Sequence, residues 1–236
     1  MKLKFFVILL LAVNIANGQK SAQDVIKKYL DVTNISKSSA TITDLVISTT
    51  TETPRGVSET ETKIAFPFKY STSMFSNGME LMSSKFDGET FVMKSNWGNN
   101  NQEPKKGKEA INESARANPF VELEYEKLGF TTTLLPSESF EGINYDVIEI
   151  KDTDGKISKD YFNPTTGLKD RTSVTRTSPR GTMEIITVFE NYKAFKGSDI
   201  LFPTIRKQKT QMGEMSTEVQ SIKFNKGLKP KDFEIK

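Results

Sequence analysis

The stretch that decides the fold is residues 62–95, TKIAFPFKYSTSMFSNGMELMSSKFDGETFVMKS. Its first residues alternate between apolar and other side chains, and this period of two is satisfied only by a strand. Asn77-Gly78 and Asp87-Gly88 then supply the positive φ angles that tight hairpin turns require. The stretch therefore predicts a three-stranded antiparallel meander. Its first strand places four apolar side chains on one face: Ile64, Phe66, Phe68 and Tyr70.

Strand patterns resume downstream, near Thr131. The strand candidates are residues 145–150, 156–162, 168–176, 183–192, 200–207 and 215–224. The turn signals that separate them are Asp154-Gly155, residues 163–167, residues 179–181 and Met212-Gly213. This regular spacing predicts a single, mainly β domain built as a sandwich or barrel, because a parallel sheet would need helices between its strands.

Helical patterns occupy the remaining segments. Ser21 followed by Asp24 is typical of a capping box, and apolar residues then recur at helical spacing to about residue 31. Residues 109–117 predict a weakly apolar helix. Residues 120–128 predict another, between an Asn118-Pro119 start and a Gly129 end. Residues 97–101 are expected to form a polar loop, and the basic cluster 105–108 is expected to be a solubilising loop, with a lipid headgroup contact as the alternative.

The N-terminus has the pattern of a secretory signal peptide. Lys2 and Lys4 precede an apolar run at residues 5–13, and Ala16-Asn17-Gly18 offers small residues where a signal peptidase reads. The run is shorter than the roughly 20 apolar residues that span a bilayer, although a retained anchor is the alternative. We therefore expect a signal peptide at residues 1–18, a single domain at residues 19–236, and a periplasmic location.

The composition excludes several classes of chemistry. The chain has no Cys and no His. Disulfides, thiol catalysis, Cys-based metal sites and a lipid anchor on an N-terminal Cys are therefore excluded, as is the usual base of Ser hydrolases. The net charge of +3 falls to +1 without Lys2 and Lys4, which gives no electrostatic case for nucleic acid. No nucleophile or phosphate-binding motif is present, so we expect no enzyme, no catalytic residue and no cofactor.

Carboxylates are the remaining candidates for acid–base or metal chemistry. Glu122, Glu124 and Glu126 lie on a predicted helix, and a solvated helix surface explains them. Asp152 and Asp154 resemble half a calcium loop, but the third acidic position and the distal Glu are missing. A hairpin turn accounts for these two residues, and we predict no metal site.

The candidate binding site is apolar. It combines residues of the meander with the apolar face of the first helix: Phe66, Phe68, Tyr70, Phe91, Met93, Val25, Ile26 and Tyr29. These side chains either fill a core or, where the helices cover the sheet only partly, line an apolar cavity. The sequence pattern of a core and of such a cavity is the same, so both alternatives stay open.

Several ordered segments resemble the LolA-like lipoprotein carriers of the periplasm, in the superfamily shared with LolB. The matching segments are AQDVIKKYL at 22–30, FDGET at 86–90, YFNPTTGL at 161–168, Asn191-Tyr192 with ILFP at 200–203, and LKPKDF at 228–233. The resemblance implies a half-open antiparallel β-barrel with a helical lid, enclosing an apolar site for acyl chains. Because LolB-like proteins are lipid-anchored, the absent Cys favours the LolA-like side.

Three classes of function follow. The first is a periplasmic carrier that binds lipidated proteins or lipids, of the outer-membrane lipoprotein-sorting type. Its partners would be acyl chains of lipoproteins or other amphiphiles, together with envelope transport components, and the carrier would act as a monomer. The second is a non-catalytic structural or regulatory envelope protein of the same fold with a filled core. A hydrolase that works through carboxylates is the third.

Overall fold

A computed structural model describes residues 20–96, 103–178, 181–210 and 213–235. In these ranges thirteen strands form one sheet. The strands are β1 Asp44–Thr53, β2 Gly56–Ala65, β3 Lys69–Ser76, β4 Met79–Phe86, β5 Thr90–Ser95, β6 Lys105–Lys106, β7 Thr131–Phe140, β8 Ile143–Lys151, β9 Ile157–Phe162, β10 Lys169–Ser178, β11 Gly181–Ala194, β12 Leu201–Thr210 and β13 Gly213–Phe224. The helices are α1 Ala22–Val32, α2 Ile35–Ser38 and α3 Gly107–Ala115, and three 3₁₀ turns lie at Ser39–Thr41, Val121–Leu123 and Pro230–Asp232.

The sheet is antiparallel throughout and is left open. Its order is β6-β5-β4-β3-β2-β1-β13-β12-β11-β10-β9-β8-β7, so neighbours in sequence are neighbours in space except where β1 pairs with β13. That one non-local pairing joins an N-terminal and a C-terminal run of hairpins. The edge strands β6 and β7 do not pair with each other. The protein is therefore mainly β, with a half-open antiparallel barrel and a few helices, as predicted.

The sheet curves around its helices. A single core cluster contains the buried face of α1, namely Ala22, Val25, Ile26, Tyr29 and Leu30. The same cluster contains Ile64 on β2, Ile148 on β8 and Phe224 on β13, which lie in distant parts of the sheet. Strands so far apart in the sheet order share one core only when the sheet wraps around it. No helix of the described ranges is long and apolar enough to cross a membrane.

The predicted start of α1 is confirmed. The Asp24 backbone N–H donates to Ser21 Oγ over 3.2 Å, and the Ser21 N–H donates to Asp24 Oδ2 over 2.9 Å. These reciprocal bonds form a capping box and satisfy two donors that a helix end otherwise leaves unpaired. The hydrogen bonds from the Ser21 backbone and side chain hold the pKa of Asp24 below its usual value.

The first strand of the predicted meander is wrong in one respect. β2 ends at Ala65 and β3 begins at Lys69, and Phe66-Pro67, joined by a cis peptide bond, lies in the turn between them. Proline has no N–H to donate to a strand ladder, so Pro67 marks a turn although the alternation continues through it. Ile64 and Tyr70 still face the same side, because they are cross-strand partners. The turns at Asn77-Gly78 and Asp87-Gly88 are confirmed, and the segment is a four-stranded meander from β2 to β5.

The connecting segments differ more from expectation. The helix predicted at residues 109–117 is confirmed as α3, but the helix predicted at 120–128 is wrong, because only the short 3₁₀ turn Val121–Leu123 and further turns form there. The basic cluster is not a loop: Lys105 and Lys106 form β6, and Lys105 Nζ lies 3.1 Å from Glu109 Oε1. Residues 1–18, predicted as signal peptide, and residues 97–101 lie outside the described ranges.

The strands predicted after Thr131 are confirmed as β7 to β13. The interpretation of Asp152 as a turn residue is also confirmed, since its Oδ1 accepts the backbone N–H groups of Asp154 and Lys156, each at 2.9 Å. Gly155 in the same turn has a φ of 81°. These hydrogen bonds give the Asp152 carboxylate a structural role.

Candidate functional site: a cavity on the concave face

A cavity of about 610 Å³ occupies the concave face of the sheet. Strands β1 to β3 and β9 to β13, together with the segment after α3 (residues 116–121), line this concave cavity. Ligand sites for small molecules typically measure about 300–1,000 Å³. The concave cavity therefore has the size of a ligand site.

A smaller recess of about 220 Å³ lies beneath α1 and shares part of the lining of the concave cavity. Its walls are mostly apolar and buried, with Tyr29, Ile35, Phe202, Val219 and Ile222 all less than a tenth exposed. We call this space the inner recess. Ile47 and Phe189 line both spaces, so the apolar surface continues from one into the other.

The opposite half of the concave cavity is lined by threonine. The side chains that replace the apolar residues along β1, β2, β3 and β13 are Thr49, Thr51, Thr60, Thr62, Thr72 and Thr217. They pair across strands: the Thr51 and Thr217 hydroxyls lie 2.9 Å apart, and the Thr62 and Thr72 hydroxyls 3.1 Å apart. We call this set the threonine half. It suits water or the polar groups of a ligand better than hydrocarbon.

A buried ion network closes one side of the cavity. Lys169 on β10 is ion-paired to Glu122, and its Nζ lies 3.3 Å from Asp160 Oδ2. Thr172 donates to Asp160 Oδ1 over 2.5 Å, and the Tyr125 hydroxyl lies 3.5 Å from Asp160 Oδ2. The network fixes the 3₁₀ turn Val121–Leu123 against β9 and β10.

This network corrects the interpretation of Glu122. The spacing of the glutamates predicts a solvated helix surface for Glu122, but its side chain is only 2% exposed, and its Oε2 has no hydrogen-bond partner among the described residues. Desolvation alone would lower the pKa of Lys169, and the attraction of Asp160 and Glu122 outweighs it, so the pKa is raised well above the usual value. Lys169 is therefore held as a cation between two carboxylates.

Aromatic side chains complete the surroundings of Lys169. Its Nζ lies 5.6 Å from the ring centre of Tyr29 and 5.7 Å from that of Phe189, within the range of cation–π attraction. The Tyr192 hydroxyl donates to the Lys169 carbonyl over 2.7 Å. Burial, and secondarily the charge of Glu122, raises the pKa of Tyr29. These contacts tie α1 to β10 and β11.

Two arginines line both the concave cavity and the inner recess. Arg206 projects from β12, and Arg116 follows α3. Both side chains are exposed. Among the described residues neither has an ion-pair or side-chain hydrogen-bond partner, because every cavity carboxylate is engaged by Lys169.

The eight residues predicted for the binding site belong to one core cluster, but Phe66 and Phe68 line a different cavity from Tyr29. Phe66 and Phe68 line a separate space of about 530 Å³, here called the hairpin pocket, with Phe86, Phe120 and Ile42. The Phe66 and Phe120 rings stack with centres 5.5 Å apart, so the β2–β3 turn packs against the segment after α3.

The other predicted residues belong to the core or to the inner recess. Tyr70, Phe91, Val25 and Ile26 are buried, and Met93 is partly buried against them. Tyr29 lines the inner recess. The site predicted as one surface is therefore divided between the hairpin pocket, the core and the recess, and its role in binding stays a prediction.

Arg206, Lys169 and the threonine half are not among the site residues predicted from the sequence. One signal for the threonines was present: Thr49-Thr51 and Thr60-Thr62 continue, two residues at a time, the same strand faces that carry Ile47 and Ile64. Such hydroxyl side chains on an inward face indicate a wetted interior. No comparable local signal marks Arg206 or Lys169, because their surroundings come from distant strands.

Comparisons with known proteins support the fold described above. No family model and no curated protein sequence matches the chain. A LolA superfamily protein from Nitrosomonas europaea matches in structure at 15% identity and a TM-score of 0.59, over 92% of this chain and 98% of that chain.

Two further solved structures are similar. A DUF1329 family protein from Desulfovibrio piger matches at 12% identity and a TM-score of 0.56, over 90% of this chain and 97% of that chain. An outer membrane lipoprotein-sorting protein domain from Vibrio parahaemolyticus matches at 15% identity and a TM-score of 0.53, over 88% of this chain and 97% of that chain. The open antiparallel sheet, its internal helices and these matches together show that the chain has the LolA-like fold.

Proposed function

We propose that this protein is a non-enzymatic carrier that binds the acyl chains of lipidated proteins or lipids in its concave cavity. It would act in the periplasm as a monomer after removal of residues 1–18, in sorting of outer-membrane lipoproteins together with envelope transport components. The similar structures include one described as an outer membrane lipoprotein-sorting domain, which supports this class of function.

The observation that carries the proposal is the concave cavity with the inner recess beside it, two spaces that share part of their lining. Their volumes are about 610 and 220 Å³, and the shared lining includes Ile47 and Phe189. Burial of an acyl chain is worth about 0.8 kcal/mol per CH₂, so roughly ten buried groups contribute about 8 kcal/mol. A carrier of this kind needs an apolar surface and an entrance, and it needs no reactive side chain.

A specific observation also favours the second class, the structural or regulatory envelope protein. The region beneath α1 is packed, with Tyr29 and Phe162 in edge-to-face contact at 5.4 Å and both buried. A ligand that requires this region to open would have to displace core side chains. The two functions therefore differ in whether a ligand occupies the existing cavity while the protein functions.

The decisive experiment is mass spectrometry of the protein purified gently from its native host, followed by titration with a fluorescent fatty acid. Bound lipid or lipoprotein and saturable probe binding support the carrier. A protein without bound lipid that also fails to bind the probe favours the second class.

A steric variant tests where the probe binds. Ile185 lines the concave cavity from β11, whereas its neighbour Glu184 is exposed and lies on the other face of the same strand. We expect Ile185→Trp to weaken probe binding by at least about tenfold, since about 1.4 kcal/mol of lost contact suffices. The control Glu184→Trp should bind as the original protein does, and equal binding by both variants would place the probe elsewhere.

A further inference from the structure

The concave cavity contains a cation that the fold does not use. Arg206 lies on β12 with Phe189 and Thr217 as its two cross-strand partners, and both of these residues also line the cavity. Its side chain is exposed to solvent inside the curved sheet, while the surrounding protein lowers the pKa of the guanidinium by desolvation. Arg206 is thus a charge held inside the cavity.

No described carboxylate forms an ion pair with this cation. Within the described ranges, Asp160 and Glu122 are the two carboxylates that line the concave cavity or the inner recess. Lys169 engages both, and neither forms an ion pair with Arg206. A guanidinium that lines a cavity without a carboxylate partner keeps its N–H donors available for an anion. Its placement is favourable when a ligand supplies the anion.

Arg206 lies where the concave cavity and the inner recess adjoin. It lines both the apolar inner recess and the concave cavity, and its cross-strand partner Thr217 belongs to the threonine half. A molecule with its charged group at Arg206 could extend an apolar chain toward Phe202 and Ile222 and direct its polar ester or hydroxyl groups to the threonines. Arg116 lines the same two spaces from the segment after α3 and adds a second unpaired guanidinium.

We propose that the ligand is an anionic amphiphile whose carboxylate or phosphate is bound by Arg206, with Arg116, while its apolar chain enters the inner recess. A guanidinium binds both oxyanions through two parallel N–H···O bonds, which gives it an advantage over a lysine. The inference rests on the proposed carrier function and specifies the chemical class of its ligand.

The test compares three probes that carry the same oleoyl chain: oleate, oleoyl lysophosphatidate and the uncharged mono-oleoylglycerol. Each is titrated into the protein, into Arg206→Gln and into Lys209→Gln. Lys209 is the matched control, because it is an exposed cation on the opposite face of the same strand. Loss of a charge-assisted hydrogen bond should weaken binding of an anionic probe to Arg206→Gln by roughly ten- to a hundredfold.

The neutral probe separates the possible outcomes. Unchanged binding of mono-oleoylglycerol to Arg206→Gln shows that the variant is folded and retains its apolar site. Loss of oleate binding alone identifies a carboxylate ligand, and loss of lysophosphatidate binding alone identifies a phosphate. An equal loss in Lys209→Gln, or no loss in Arg206→Gln, overturns the inference and leaves the carrier function intact. If the original protein binds none of the three probes, the carrier function itself fails.

Discussion

The two halves of the concave face are built from the same strands but have opposite characters. Along β1 the inward side chains change from the apolar Leu45 to the hydroxyl-bearing Thr49 and Thr51, which are also less than a tenth exposed. Along β13 they change from Phe224 and Ile222 to Thr217, so the boundary crosses both strands. The helix-covered half acts as a core, whereas the threonine half leaves a cavity open.

This difference shows where stability and binding reside. A buried aromatic side chain contributes stability through the contacts that fill its site, and each contact is lost when the side chain is removed. A half-buried side chain that lines a cavity has fewer such contacts. We therefore expect substitutions in the two halves to have effects of very different size.

The largest effect is expected for Phe162→Ala in the helix-covered half. Phe162 is 2% exposed and packs against Tyr29. Its truncation should lower the free energy of unfolding by about 3–5 kcal/mol, measured by chemical denaturation. Phe189→Ala is the control, because Phe189 is half-buried in the cavity lining, and it should cost less than about half as much. Equal losses would contradict the division into two halves.

Breaking the buried ion network should have an effect of similar size. Lys169→Met leaves Glu122 and Asp160 buried without their cation, and loss of one partner from a buried pair costs about 3–5 kcal/mol. Lys159→Met is the matched control, since its pair with Glu138 is about one-third exposed and contributes less than about 1 kcal/mol. A thermal melt in which the two variants coincide would mean that the Lys169 network is solvated.

The same network predicts a loss of stability at high pH. The folded-state pKa values of Lys169, Tyr29 and Tyr192 are all raised. For Lys169 the charges of Asp160 and Glu122 outweigh desolvation, and for the tyrosines burial is the main cause. The folded protein therefore holds these protons more tightly than the unfolded chain does, and their contribution is complete below about pH 10 and decreases as pH rises further. Melting temperatures measured between pH 8 and pH 11.5 should decline above about pH 10, and Tyr29→Phe should decline less.

The hairpin pocket is expected to tolerate change better than the core. Phe68 is partly buried, with its ring centre 5.8 Å from that of Tyr70 and 6.0 Å from that of Phe86. Phe68→Glu should cost about 1–3 kcal/mol and leave a folded protein, because the new carboxylate can reach water through the pocket. Circular dichroism checks folding, and Phe68→Leu controls for loss of the ring. Global unfolding of Phe68→Glu would show that this surface belongs to the core.

Local signals in the sequence predicted much of this fold. The capping box at Ser21 and the turns at Asn77-Gly78 and Asp87-Gly88 depend on residues within four positions of one another, and all three are confirmed. The failure at Phe66-Pro67 has a physical reason. Ile64 and Tyr70 are cross-strand partners, so they face the same side of the sheet although a turn separates them. The alternation of apolar side chains therefore continues through the turn as it would in one strand.

The features that could not be predicted depend on distant parts of the chain. Glu122 is buried because Lys169, which follows 47 residues later, neutralises it. The pairing of β1 with β13 brings Thr51 next to Thr217 and thereby forms the floor of the cavity. Within the described ranges Arg206 has no ion pair, because Lys169 engages the two carboxylates that line the cavity and the recess. None of these relations has a local pattern.

The smallest effects are expected in the threonine half, and they decide whether it is wet. The Thr62 and Thr72 hydroxyls lie 3.1 Å apart across β2 and β3, facing the cavity, and both residues are half-buried. If water reaches them, Thr62→Val leaves the Thr72 hydroxyl hydrated. Valine keeps the branched shape that a strand favours, so each single change should alter the free energy of unfolding by less than about 0.5 kcal/mol. If the half is dry, either single change leaves a hydroxyl without a partner and costs about 1–3 kcal/mol, and the double variant recovers the loss.

A double-mutant cycle of Thr62→Val and Thr72→Val, measured by urea denaturation, gives the coupling energy between the two hydroxyls. A coupling near zero supports an open cavity, and a coupling above about 1 kcal/mol would mean that the threonine half is packed core like the half beneath α1.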